Sequence, residues 1–179
     1  SLIDLGMIND RYFINIATIG GVDALIGKRT NESNGRKNYA KNVIKSLIEF
    51  KAPEVQYCIN DVTYDDEIML FAICNGYYYG NGYHVAPIAR LNDGLFDVYV
   101  ANKINKISSA MLSLKMKKGK HYKHEEDKKL AKNKHISFYR TDNLHISSKE
   151  TLICNVDGET ICGNEFDIKL KKRSIKLSI

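Results

Sequence analysis

The stretch NGYYYGNGYHVAPIARLNDGLFDV, Asn75 to Val98, decides how this chain is read. Gly76, Gly80, Gly82 and Gly94 permit positive φ and close backbone approach, and Pro87 fixes a turn, so most of the segment is irregular. On either side lie the apolar runs Ile68–Cys74 and Leu95–Ala101, which read as strands. Ordinary connections take about four to six residues, and the span from Asn75 to Leu95 far exceeds that. Two readings fit such a loop: a functional loop, or a wide decorated hairpin. Gly80-Asn81-Gly82 is not followed by a helix whose N-terminus could receive a pyrophosphate, and no G-x-x-x-x-G-K-[ST] segment occurs. The sequence therefore contains no recognisable phosphate cradle.

Working outward, Ile68–Cys74 is almost wholly apolar, as expected of a strand covered on both faces, and it implies two sheets. Before it, Val55, Tyr57 and Ile59 alternate with polar or small residues. Upstream again, Tyr39, Val43, Leu47 and Phe50 recur three or four apart while Lys37, Lys41, Lys45 and Glu49 take other faces, which predicts a helix over Gly35–Phe50. Tyr12–Ala17 (YFINIA) reads as one short strand, broken by Gly20-Gly21 before a helical turn over Val22–Ile26. Downstream, the spacing of Ile107, Met111, Leu114 and Met116 predicts another helix. Phe166, Ile168 and Leu170, then Ile175, Leu177 and Ile179, alternate with polar neighbours as two half-exposed antiparallel strands. Regular βαβ alternation is missing, so the predicted fold class is α+β, mainly β: an antiparallel β-sandwich with two or three helices.

The 179 residues, 44% of them hydrophobic, suffice for a packed core and exclude a disordered chain. With 27 basic and 21 acidic residues the net charge of +6 favours anionic surfaces without choosing among membranes, nucleic acid and phosphorylated ligands. The longest concentration of charge, Lys115–Lys134, reads either as a solvated helix end and loop or as a patch for anionic headgroups. His121 and His124 lack further ligands for zinc nearby. Cys58, Cys74, Cys154 and Cys162 form no C-x-x-C pair and read as reduced, buried thiols of a cytosolic protein. No signal peptide opens the chain, and no apolar run approaches the roughly 20 residues of a membrane span, so any membrane contact is expected to be peripheral. The start Ser-Leu-Ile-Asp-Leu, without Met, suits a piece of a longer protein.

A second polar signal is Asn155-Val156-Asp157-Gly158-Glu159, directly after apolar Leu152–Cys154. Asp-Gly is a strong hairpin-turn dipeptide. Glu159, just past the glycine, is also placed where a carboxylate can project into a cleft and take a proton.

Taken in order, FINIATIGGVDA (Phe13–Ala24), G-x-x-x-Y (Gly35–Tyr39), the Asn75–Val98 stretch and VDGE (Val156–Glu159) resemble the C-terminal domain of the bacterial diacylglycerol kinase and related lipid kinases, a family that includes sphingosine kinases. The likeness runs from about Tyr12 to Leu177, and its most specific part is Asn75–Val98. It implies a two-domain enzyme that moves the γ-phosphate of ATP to the hydroxyl of diacylglycerol or a related lipid. Residues 1–179 would be the C-terminal, lipid-side β-sandwich, and the N-terminal nucleotide-binding domain, with its GGDGT-type loop, is absent from this sequence. Carried over by motif, Glu159 is the general base. Asp93 of the A-x-x-x-D-G-L pattern is a ligand of a structural magnesium, beside the backbone carbonyls of Arg90 and Leu95, a donor set suited to a hard cation. The sequence departs from the family at Asn81, which stands where a glycine is usual, and in the length and charge of Lys115–Lys134. The resemblance implies a lipid substrate, peripheral contact with the anionic inner membrane face, no nucleic-acid partner, and leaves a homodimer open. An NAD-kinase-like small-molecule kinase and a non-catalytic lipid-binding module of the same fold remain as alternatives.

Overall fold

The computed structural model describes residues 1–20, 41–42, 45–46, 49–79, 82–122 and 135–177. Nine strands occur among them: β1 (Leu2–Ile8), β2 (Arg11–Phe13), β3 (Ile16–Ile19), β4 (Glu54–Ile59), β5 (Val62–Cys74), β6 (Phe96–Asn102), β7 (Ile136–Thr141), β8 (Asn143–Val156) and β9 (Glu159–Lys176), and the helix α1 (Lys106–Lys117) lies wholly within the described residues. They form one antiparallel sheet in the order β2-β1-β9-β8-β3-β5-β6-β7, with β4 attached to β5 and β8.

The sheet becomes two layers because its long strands share partners. β3 bridges the 71–74 end of β5 and the 154–156 end of β8, while β4 bridges their opposite ends. A ring β5-β3-β8-β4 results, and the sheet wraps around a core that draws Ile8, Phe13, Tyr57, Phe71, Phe96, Ile146, Cys154 and Phe166 from all sides. The expected β-sandwich is thus built from a single hydrogen-bonded sheet folded on itself.

The run Ile68–Cys74 is covered on both faces, as its composition predicts. Phe71 and Ile73 face the inner core, whereas Ala72 and Cys74 face a second apolar layer. The neighbouring strand β6 follows the same period of two: Phe96, Val98 and Val100 point inward, Tyr99 and Ala101 outward. The outer layer is made by Val85, Ala86 and Ala89 of the long loop and by Leu112 and Met116 of α1. Asn105 caps α1, its side-chain oxygen accepting the Ser108 N–H at 2.9 Å.

Two strand readings change. YFINIA is not one strand: β2 ends at Phe13, β3 starts at Ile16, and Ile14-Asn15 bends between them. The C-terminal pair is instead the single long β9, whose hydrophobic phase shifts near Arg173 (φ 50°), where its register against β1 also slips. The helix predicted over Gly35–Phe50 falls mainly outside the described residues; residues 41, 42, 45, 46 and 49 within it are helical, with Asn42 and Ser46 buried and Lys41, Lys45 and Glu49 exposed. Residues 21–40, which include the predicted turn over Val22–Ile26, also lie outside, as do Gly80, Asn81 and residues 123–134 with His124. All four cysteines are free thiols; Cys74 and Cys154 are buried, whereas Cys162, expected inside, is exposed on β9.

Asp97 is the exception to the apolar outer face of β6. Its side chain is 1% exposed, and Arg140, its cross-strand partner on β7, donates from Nε to Oδ1 at 3.0 Å while Oδ2 has no partner among the described residues. Burial pushes the carboxyl from its ordinary 3.8 up to about 6, against the pull of the Arg140 guanidinium. A folded carboxyl that holds its proton more tightly than the unfolded one favours folding at low pH, and that advantage is lost as pH rises through about 6. Between about pH 4 and pH 7, wild type is therefore expected to lose stability relative to Asp97→Asn by an amount on the order of 3 kcal/mol in urea titrations. Parallel pH profiles for the two proteins would contradict this account.

Candidate functional site

The β8–β9 hairpin turns through Asp157 (φ 47°) and Gly158 (φ 100°), the paired positive φ values of a two-residue type I′ loop. Asn155 tightens it by accepting the Gly158 N–H at 2.9 Å. Asp157 then reaches across the sheet. Its carboxylate accepts the backbone N–H of Ile14 at 2.6 Å, of Asn15 at 3.1 Å and of Ile16 at 2.8 Å, and its own N–H donates to the Ile16 carbonyl at 3.0 Å. Three consecutive amides turned toward one carboxylate cannot stay in a ladder, and this is why YFINIA breaks at Ile14-Asn15.

Asn15 carries the connection onward. Its carbonyl accepts the N–H of both Asn75 and Gly76 at 2.9 Å, and its side-chain amide donates to the Tyr78 carbonyl at 2.6 Å. Gly76 is required here, since a Cβ would stand 2.1 Å from the Asn15 side-chain oxygen. The Asn75 side chain donates to the carbonyls of Ile14 at 2.7 Å and Asp4 at 3.0 Å. Buried Asp4 in turn accepts from Gly94 N and Arg173 N, each at 2.8 Å. The segments singled out in the sequence, FINIA, NGYY, DGL and VDGE, therefore meet through one hydrogen-bonded relay.

Glu159 opens β9 at the rim of a cleft of about 340 Å³ lined by Asp10, Arg11, Tyr12, Val156, Asp157, Glu159 and Ile161. Its carboxylate is exposed and lies 3.8 Å from the Arg11 guanidinium. At the same edge the Lys171 ammonium donates to the Tyr12 hydroxyl at 2.7 Å and sits 4.8 Å from the centre of that ring. A carboxylate in water-accessible surroundings with cations close by can accept a proton from a hydroxyl and tolerate a neighbouring phosphate. Sequence reading finds the turn and Glu159 but misses Arg11 and the clamping role of Asp157. Arg11 has no spacing signal, and the partners of Asp157 lie 141 to 143 residues away.

The Asp93 region has different chemistry. Arg90, Leu91 and Asp93 lie on the loop before β6, and Asp93 Oδ2 is paired with Arg140, which also holds Asp97. Asp93 Oδ1 accepts the Leu95 N–H at 3.2 Å. Both carboxylate oxygens are thus engaged, one by the Arg140 guanidinium and one by the Leu95 amide. Among the described residues no group of three or more His, Cys, Asp or Glu side chains forms a metal cluster. As arranged, Asp93 is paired with a guanidinium and a backbone amide rather than with a cation. Asp93 and Glu159 are joined only through the relay, not by direct contact.

Comparison with known proteins matches residues 17–177 to the family described as YegS C-terminal NAD kinase beta sandwich-like domain. The chain belongs to this family. Among similar proteins, a diacylglycerol kinase of Bacillus subtilis (strain 168) is 26% identical over 160 residues, covering 88% of this chain and 50% of the relative. A Pseudomonas aeruginosa (strain UCBPP-PA14) protein named "Probable lipid kinase YegS-like" is 31% identical over 102 residues, 55% of this chain and 33% of that protein. This YegS-type domain shares its fold with a solved structure of a diacylglycerol kinase from Bacillus anthracis str. Sterne, with a TM-score of 0.62 at 18% identity, covering 97% of this chain and 52% of the other. The domain spans about half the length of the curated relatives it matches. No helix among the described residues is long and apolar enough to cross a membrane.

Two outcomes test this geometry. Asp157→Ala should cost about 1–3 kcal/mol and speed amide exchange at Ile14, Asn15 and Ile16, because those donors lose their acceptor; unchanged exchange there would refute the clamp. With Arg140 on Asp93, saturating Mg2+ or a chelator should move the melting temperature of the YegS-type domain by less than about 1 °C, since a ligand that does not bind the native state cannot stabilise it. A rise of several degrees would show that a cation displaces Arg140.

Proposed function

We propose that this domain forms the acceptor side of an ATP-dependent lipid kinase, with Glu159 as the general base on the hydroxyl of diacylglycerol or a related lipid. The observation that carries the reading is the clamped VDGE turn, which fixes an exposed carboxylate at a cleft rim in a domain whose relatives are named as lipid kinases. In the proposed step the lipid hydroxyl loses its proton to Glu159 as its oxygen bonds to the γ-phosphorus, and the bond from that phosphorus to the bridging oxygen breaks to leave ADP. Phosphoryl transfer depends mainly on positioning and charge neutralisation, so donor and acceptor functions can reside on separate domains. ATP would be held by a nucleotide-binding domain with a glycine-rich loop, and Mg2+ would arrive with the triphosphate; the Asp93 loop takes no part in the step. Arg11 and Lys171 lie where they can offset phosphate charge near Glu159. Residues 1–179 alone would not turn over, and the working enzyme would sit peripherally at the cytoplasmic membrane face.

Glu159→Gln, made in the protein joined to its nucleotide-binding domain, is expected to lower kcat for phosphatidate formation by about 100-fold or more with little change in KM. A near-normal rate would exclude Glu159 as the base. The family description, with its NAD-kinase-like sandwich, supports a second reading in which the acceptor is a dinucleotide. Offering labelled ATP with diacylglycerol, sphingosine or NAD separates the two, and binding of lipid without transfer to any acceptor would favour a non-catalytic module.

A further inference from the structure

Helix α1 is apolar on two opposite faces, although only one is needed by the fold. Leu112 and Met116 are buried against the outer layer, together with Ser109 and Ser113. On the other side Ile107 is 76% exposed, and Met111 and Leu114 are 56% exposed. At about 100° per residue these three fall within an arc of about 60°, a continuous stripe facing away from the protein. Scattered exposed apolar residues are ordinary, but three in register on one helix are a patch.

Among the described residues, the charge that flanks the stripe along the chain is of one sign. Lys115 and Lys117 flank it in the last turn, and Lys118 and Lys120 follow, all exposed. No Asp or Glu occurs from Val98 to His124. Lys103 belongs elsewhere, paired with Glu67 at 2.7 Å.

The long loop extends the same surface. It shares the second core with α1 through Val85, Ala86 and Ala89, and Tyr83 and Ser113 hydroxyls approach to 3.4 Å. His84 lies against Gly119 at the helix end and stacks on Tyr78 with centroids 4.6 Å apart. Tyr77 and Tyr78 are exposed, and Tyr78 is tied through its carbonyl to Asn15, and so to the clamp that holds Glu159.

We propose that α1 lies flat on an anionic lipid bilayer, with Ile107, Met111 and Leu114 sunk among the acyl chains near the headgroups, Lys115, Lys117, Lys118 and Lys120 on anionic headgroups, and Tyr77 and Tyr78 at the interface. An apolar stripe edged by lysines, with no carboxylate in the helix itself, suits this occupant: it matches a surface apolar just below a negative layer. Tyrosines prefer the same depth because the ring is apolar and the hydroxyl wet. The inference gives an address to the membrane contact proposed above, yet it does not depend on Glu159 being a base. If both hold, the bilayer delivers lipid toward the Tyr78–Asn15 side of the relay.

The test uses the 179-residue chain and sedimentation with vesicles of phosphatidylglycerol alone or phosphatidylcholine alone. Wild type should pellet with the anionic vesicles and bind the zwitterionic ones at least about tenfold more weakly. Met111→Asp combined with Leu114→Asp should reduce anionic binding by about tenfold or more, and Lys117→Glu with Lys118→Glu should do the same, whereas Val62→Glu, at an exposed site on β5, should not. Met111→Ser is the milder variant, with melting temperature checked for each, and should still weaken binding severalfold. Equal binding by wild type and the Met111 variants overturns the proposal, as does equal affinity for both vesicle types. So does a wild-type dimer in sedimentation equilibrium that the Met111/Leu114 double substitution splits, since a second copy would then cover the stripe. Phosphorylation of a water-soluble short-chain diacylglycerol by the protein joined to its nucleotide-binding domain reports separately on Glu159, so the two ideas fail by different readouts.

Discussion

The carboxylate of Asp157 holds three consecutive amides of the segment between β2 and β3, and the geometry of the candidate site descends from that contact. A carboxylate can accept several N–H bonds at once, and backbone amides taken out of a ladder need an acceptor. Meeting that need here fixes the hairpin turn, the bend at Ile14-Asn15 and, through the Asn15 carbonyl, the start of the long loop. Glu159 owes its position to its neighbour two residues back more than to any contact of its own, the Arg11 pair being exposed and of the kind that contributes little.

The second organising fact is that the Ile68–Cys74 part of β5 and, apart from Asp97, β6 are apolar on both faces. One face closes the inner core and the other must be roofed, which the long loop and α1 accomplish. Polar groups trapped beneath this roof are handled unequally. Asp4 is buried yet exchanges bonds with backbone groups, so its desolvation is offset, whereas Asn75 donates to two carbonyls but keeps its side-chain oxygen without a partner among the described residues. Asp97 also keeps one oxygen unpartnered, and its burial is what holds the carboxyl proton up to about pH 6.

Much of this was legible in the sequence. The apolar run Ile68–Cys74 announced a strand covered twice, Asp-Gly announced a two-residue hairpin, and the spacing from Ile107 to Met116 announced α1. Local pattern was enough in each case. The break in YFINIA was not legible, because its cause lies in a turn 143 residues further on. Nor was the Asp93–Arg140 pair, which depends on β7 lying beside β6 and competes with the cation that the family resemblance attaches to Asp93. Periodicity finds a helix but is blind to which of two apolar faces is covered, so the exposed stripe of α1 needed the packing.

The separation between Asp157 and its amides also has a meaning in time. A chain forms near contacts cheaply and distant ones late, since a large loop must close before any bond rewards it. β8 and β9 form a hairpin across two residues, so Glu159 can be present early as a bare carboxylate on a loose turn. Only when β3 inserts beside β8, at nearly the full reach of the chain, do Ile14, Asn15 and Ile16 lock it. The domain thus carries its own completion check: the Glu159 carboxylate is fixed in place only after the first and last parts of the polypeptide have found each other.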